Sequence, residues 1–185
     1  LDGITPSQGY RNRDAAKAIA WVRERGGIAQ FSWHWVRPDG LGDYYSLGFD
    51  LRQALSNPQS ANYQAIIRDI DLAANELKKL QDAHVPVLWR PLHEAEGGWF
   101  WWGAYGKEAL QQLWRLMYDR MVNYHGLRNL IWVWTSYVGD PHRQNWYPGN
   151  DVVDLIVYDY PDHNSWNAFN QTFAGNNKMF GIGEN

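Results

Sequence analysis

The chain has 185 residues, 17 Lys plus Arg against 20 Asp plus Glu, a formal charge of −3 and no cysteine. That length fits one domain over residues 1–185, and a charge so evenly mixed excludes a nucleic-acid partner. The missing thiols exclude disulfide scaffolds, Cys-ligated zinc and cysteine nucleophiles.

No apolar run approaches the roughly 20 residues that cross a bilayer, so no membrane partner is expected. The opening Leu-Asp-Gly-Ile-Thr-Pro carries no secretion signal. The first element follows at Asp14, where Ala15, Ala18, Ile19 and Val22 recur at helical spacing until Gly26 and Gly27 stop it. Residues 28–35 then alternate as a strand, with Phe31, Trp33 and Trp35 on one parity and Gln30, Ser32 and His34 on the other. After a loop over 37–50 rich in Gly, Asp and Tyr, Asn57-Pro58 marks a turn. Ile66, Ile70, Ala73, Ala74, Leu77 and Leu80 trace a long amphipathic helix. The apolar run 85–92 fits a strand buried on both faces. Leu110, Leu113, Trp114, Met117 and Met121 give another helix, closed near His125-Gly126. Residues 130–134 and 152–158 read as strands, 165–175 as a polar and aromatic helix or loop, and 179–182 as a last strand.

Strands alternating with helices predict βα units and a parallel sheet, an α/β fold. Barrel and open sheet share that pattern. Polar residues at or just past successive strand ends (His34, Glu94, Trp134, Tyr160, Glu184) favour the barrel, whose chemistry gathers there. Five strands are fewer than the eight of a closed barrel, and the chain stops one residue past Glu184, so a fragment of a larger barrel is expected.

Glu94 is the strongest candidate for chemistry. It follows a buried strand and precedes Gly97-Gly98 and the rings of Trp99, Phe100, Trp101 and Trp102, an apolar setting that keeps a carboxyl protonated near neutrality. The competing reading is a loop carboxylate paired with Arg90. Glu96, nearby, is assigned to solvent or a substrate hydroxyl. Glu184, in Phe-Gly-Ile-Gly-Glu184, supplies the second carboxylate that glycoside hydrolysis requires.

The 12 Trp and 11 Tyr serve either as sugar-stacking platforms or as core,. His34 is a candidate for a sugar hydroxyl and Trp134 for a stacking platform. Tyr160, with Tyr158 as the alternative, is the candidate to hold the second carboxylate, since a bulge would exchange their parity. His125, His142 and His163 with Asp140, Asp159 and Asp162 lack metal-ligand spacing, so no metal is expected. Asn170-Gln-Thr172 fits a glycosylation acceptor by rule alone.

The run Trp89-Arg-Pro-Leu-His-Glu-Ala-Glu-Gly-Gly-Trp-Phe-Trp-Trp-Gly103 resembles glycoside hydrolase family 26, best known for endo-β-1,4-mannanases. Ser-Trp-His-Trp35, Trp132-Val-Trp134, Tyr147-Pro-Gly-Asn-Asp151 and the terminal Gly-Glu184 extend the likeness over nearly the whole chain. The resemblance implies a (β/α)8 TIM barrel of which this chain covers about the third to the seventh βα units. It also implies a retaining mechanism with Glu94 as acid/base and Glu184 as nucleophile. Arg90, His93, His34 and Trp99 match positions lining the subsites beside the cleavage point, and a sixth-strand tyrosine orients the nucleophile. Pro161 stands where the family's Asp-x-Tyr pattern would put that tyrosine.

The expectation is therefore hydrolysis of β-1,4-mannan, with no cofactor, by an enzyme whose polymeric substrate implies secretion. Mixed-linkage β-glucan or xylan is the alternative substrate, and a non-catalytic carbohydrate-binding fragment the alternative class.

Overall fold

The computed structural model describes residues 14–137, 142–160 and 162–184. The readings on residues 1–13, Asp140, Pro161 and the His163 side chain lie outside the described residues. Five strands, β1 (Ala29–Ser32), β2 (Val87–Arg90), β3 (Leu130–Tyr137), β4 (Leu155–Asp159) and β5 (Met179–Glu184), form one sheet. All four pairings are parallel and the strand order follows chain order. Right-handed crossovers in an order that never reverses place every helix on one side of the sheet. A doubly wound sheet must reverse its order to cover both faces. The sheet is thus an arc of a barrel.

The helices are α1 (Asp14–Arg25), α2 (Leu51–Ser56), α3 (Ala61–Asp82), α4 (Lys107–Tyr118) and α5 (His163–Phe173). Capping sets several starts: the Asp50 carboxylate accepts from Gln53 N, Ser60 Oγ from Tyr63 N, and Asp162 forms a reciprocal capping box with Ser165,. On α3, Ile66, Ile70, Leu77 and Leu80 are fully buried, each worth about 1.5–3 kcal/mol of transfer energy. α4 runs on into a π-helical stretch, Asp119–Tyr124.

Several elements differ from the sequence reading. α2 was not anticipated, although Asp50 followed by Leu51 and Ala54 is a cap with an apolar pair. β1 ends at Ser32, leaving Trp33 to Trp35 in the following connection. β3 continues to Tyr137 because Thr135 and Ser136, polar by type, are buried. β4 starts at Leu155 because Asp154 is a turn anchor: its carboxylate accepts from Trp132 N at 2.8 Å, and its own N–H donates to Trp132 O at 2.9 Å.

The helix-facing side of the sheet is aromatic. Trp132 and Trp134 meet Trp114 of α4 edge-on at 5.6 and 5.4 Å, and Tyr158 stacks on Phe169 of α5 at 4.8 Å. Eight of the 12 tryptophans are fully buried, so most of the aromatic excess is core rather than sugar platform. Asn170 lies within α5 with its amide oxygen buried.

Candidate active site

Inward-pointing residues alternate with the aromatic ones along the strands, and at the C-terminal ends they converge on Arg90. Its Nε donates to Thr135 Oγ1 on β3 at 2.9 Å, and Nη1 donates to Ser32 Oγ on β1 at 2.8 Å and to Glu184 Oε1 on β5 at 2.9 Å. Nη2 donates to Asp159 Oδ2 on β4. One guanidinium, 1% exposed, ties five adjacent strands together. The competing sequence reading paired Arg90 with Glu94; its close carboxylate partners are instead Asp159 and Glu184.

Glu94 stands just past β2 with φ 52°, after Leu92 at φ 53° and His93. A left-handed conformation costs a non-glycine residue about 1–2 kcal/mol, and here it turns the chain from the strand into the short helical turn Ala95–Gly97. The turn is tied to the aromatic loop that follows: Trp102 Nε1 donates to His93 O at 3.0 Å and Trp101 Nε1 to Trp35 O at 2.6 Å. At Gly103 a Cβ would lie 2.1 Å from the Ala95 carbonyl oxygen, so that packing requires glycine. Glu94 is 8% exposed and hydrogen-bonded by the Trp99 side chain. Trp99 is itself half-buried and packs edge-on against Tyr137 at 4.6 Å.

Glu184 ends β5 opposite Asp159, the register slipping past Gly183. Its Oε2 accepts from Tyr160 Oη at 2.8 Å while Oε1 takes Arg90. Tyr160 follows β4 with φ 52° and donates its N–H to Glu184 O at 2.9 Å. This left-handed residue swings the ring back over the carboxylate.

The two glutamates are driven apart electrostatically. Burial, then the charge of Glu184, raises Glu94 above the usual carboxylate range. Burial alone would raise Glu184 too, but hydrogen bonds from Tyr160 and Arg90 outweigh it and hold Glu184 low. One carboxyl is thereby suited to donate a proton and the other to remain ionised. Tyr160, pushed up to about 12 chiefly by its bond to Glu184, stays a donor. Burial, reinforced by the charges of Arg90 and His34, lowers His93 to about 3, so the ring is neutral.

Oxygen atoms of Glu94, Asp159 and Glu184 all lie within 4.8 Å of one another. Three carboxylates so close are a donor set able to hold a cation, but the positive charge among them is already Arg90.

The structure therefore brings together Glu94, Glu184, Arg90, His93, Trp99 and Tyr160. His34 joins them from the connection just past β1, its ring 4.9 Å from that of His93. Trp134 and Tyr158 do not belong to this group: both are fully buried on the helix-facing side, because each sits one residue out of phase with the inward Thr135 and Asp159. Glu96 is half-buried with its carboxyl oxygens shielded from solvent, not turned outward. His125 bonds Asp71 at 2.7 Å beside Arg120, far from Asp159 in role and partner. Ser32, Thr135 and Asp159 were missed as site residues; the available signal was their shared parity with Arg90 in a parallel register.

A model of glycosyl hydrolase family 26 matches residues 6–184. A mannan endo-1,4-beta-mannosidase of Thermothelomyces thermophilus is 53% identical over 163 residues, 82% of this chain and 33% of that protein. A Podospora anserina beta-(1,4)-mannanase structure superposes with a TM-score of 0.87 at 41% identity, over 98% of this chain and 44% of its own. A beta-mannanase from a termite-symbiotic protist, solved with a gluco-manno-oligosaccharide, gives 0.83 at 35% identity over 98% and 62%. The chain thus spans about a third of that fungal relative's length and under half of the Podospora structure. The parallel arc fits a partial (β/α)8 barrel.

Proposed function

From the premise that this chain belongs to glycosyl hydrolase family 26, we propose that it carries the catalytic centre of a retaining endo-β-1,4-mannanase. Its five strands then occupy the third to seventh positions of the barrel, as parts of one catalytic domain. The spacing supports this numbering: Glu94 follows the second strand of the arc and Glu184 ends the fifth, three positions later, as an acid/base on strand four and a nucleophile on strand seven require.

Glu184 attacks the anomeric carbon while Glu94 protonates the departing glycosidic oxygen. Glu94 then takes a proton from water, which releases the sugar from Glu184. The observation that carries the reading is the approach of the two carboxyl groups to within 4.8 Å between nearest oxygens. Retention works at about 5–5.5 Å, whereas inversion needs a gap wide enough for an intervening water. Tyr160 and Arg90 hold the nucleophile, while His34, Trp99 and the neutral ring of His93 line the floor where a pyranose would lie. Mannan, rather than glucan or xylan, is favoured by the mannosidases among the relatives. Action on a polymer makes secretion the expected setting.

The test follows the anomer first released from manno-oligosaccharide by NMR, in the full-length polypeptide that contains this chain. Retention is expected, and an inverted first product would overturn the mechanism. Glu94→Ala should reduce kcat/KM on mannan by about 10²–10⁴-fold, with azide accelerating turnover of an activated aryl mannoside and releasing the β-azide. Unchanged activity would remove Glu94 from its role, and activity on glucan or xylan but not mannan would refute the substrate.

A further inference from the structure

Asp159 is the one member of the carboxylate cluster that the double displacement does not use. It is fully buried, and burial, opposed by Arg90 and reinforced by the charges of Glu184 and Glu94, raises it to about 7. Its Oδ2 takes Arg90, but no N–H or hydroxyl among the described residues reaches Oδ1. A buried acceptor left without a donor costs about 1–3 kcal/mol.

The neighbouring side chain within hydrogen-bonding reach of Asp159 is Glu94. Two ionised carboxylates cannot bond to each other; a proton between them closes the contact and satisfies Oδ1. Glu184 is ruled out as its bearer, since Arg90 and Tyr160 fill both of its oxygens with donors. Burial raises Asp159 and the contact itself lowers Glu94, which alone would leave the proton on Asp159; the guanidinium bonded to Oδ2 opposes both and holds the negative charge on Asp159,. Gly183 makes room for the arrangement: a Cβ there would lie 2.3 Å from Oδ1.

We propose that Asp159 is a positioning residue for the acid step, its Oδ1 accepting a hydrogen bond from protonated Glu94 and so loading the proton on the carboxyl that faces the glycosidic oxygen. This rests on the reading of Glu94 as acid/base and adds a partner to it. When Glu94 gives its proton to the leaving oxygen, two carboxylates are left facing each other. Their repulsion makes Glu94 a better base for the proton that water then surrenders, and the hydrogen bond to Asp159 reforms. The charged and titratable groups around the pair are Arg90 and neutral His93 from the β2 side, Glu184 from β5 and Tyr160 after β4.

The test compares Asp159→Asn with wild type in the full-length polypeptide, on manno-oligosaccharide and on an aryl mannoside whose phenol leaves without protonation. In the variant, Asn Oδ1 keeps Arg90 and Nδ2 points at Glu94, favouring its ionised form. The basic limb of kcat/KM should therefore move to lower pH by about one unit. The activity loss should be at least tenfold larger on the oligosaccharide than on the aryl substrate. Equal losses with an unmoved limb overturn the proposal, leaving Asp159 a structural anchor for Arg90. Glu94→Ala is the control: if it too lacks the leaving-group dependence, the acid assignment fails instead. Should the variant not fold, carboxyl ¹³C NMR of the wild-type enzyme decides. Glu94 and Asp159 titrating together in two steps supports the shared proton, and independent single steps refute it.

Discussion

Adjacent residues on the central strands face opposite worlds: Trp89 and Arg90 on β2, Trp134 and Thr135 on β3, Tyr158 and Asp159 on β4. The first of each pair packs into an aromatic layer under the helices; the second belongs to one hydrogen-bonded network around a guanidinium. The aromatic face tolerates polar atoms without partners, since Tyr158 Oη and Trp134 Nε1 have none among the described residues. On the inner face both oxygens of Glu184 and each nitrogen of the Arg90 guanidinium have a partner, and Asp159 Oδ1 is the strand oxygen there left without a donor among the described residues. Stability and chemistry are thus separated by a single step along the chain, and aromatic character marks the former.

Substitutions on either face should separate the two. Arg90→Ala should have the largest effect, about 3–5 kcal/mol of stability lost because Asp159 is left a buried unpaired charge, with activity lost as well. Denaturant unfolding and turnover would show both, and a folded, active variant would break the account of the inner face. Trp134→Ala should cost a similar or slightly smaller amount of stability, about 3–5 kcal/mol, yet leave turnover per folded molecule unchanged at low temperature. A selective loss of mannan binding there would return Trp134 to the site.

Tyr160→Phe should leave the unfolding midpoint in place and reduce kcat roughly tenfold, by removing a hydrogen bond to a charged group. Because that bond holds Glu184 low, its loss raises Glu184, so the acid limb of kcat/KM should move to higher pH. An unmoved limb would show that Tyr160 does not act through the nucleophile. Tyr158→Phe, chemically the same change one turn of parity away, should be the mildest: its hydroxyl has no partner to lose, so stability stays within about 1 kcal/mol or rises, with an unchanged pH profile.

Much of the site was legible because Glu94, His93 and His34 stand at the ends of apolar strands in a pattern that only a converging sheet makes coherent. Glu184 was legible as the carboxylate after a glycine-rich strand. Ser32, Thr135 and Asp159 were not, since a short polar residue inside a strand has no spacing of its own and gains meaning only from the register that turns it to the same face as Arg90. Trp134 and Tyr158 misled for the complementary reason: residue type suggested a sugar platform for the first and a hydroxyl for the second carboxylate from the other, while parity, set by the burial of every second residue, turned both to the helices. Tyr160 was already preferred to Tyr158, but the reason lies in its left-handed backbone and the slip at Gly183, neither of which a pattern of alternation contains.

The partners of Arg90 lie 58, 45, 69 and 94 residues away in the chain, on four different strands. Contacts so distant carry the full cost of loop closure before they return anything. The full set of guanidinium bonds therefore requires all five strands to be in register at once. The catalytic centre is thus also a gauge of register: a strand paired one residue out of step turns its partner for Arg90 to the opposite face of the sheet.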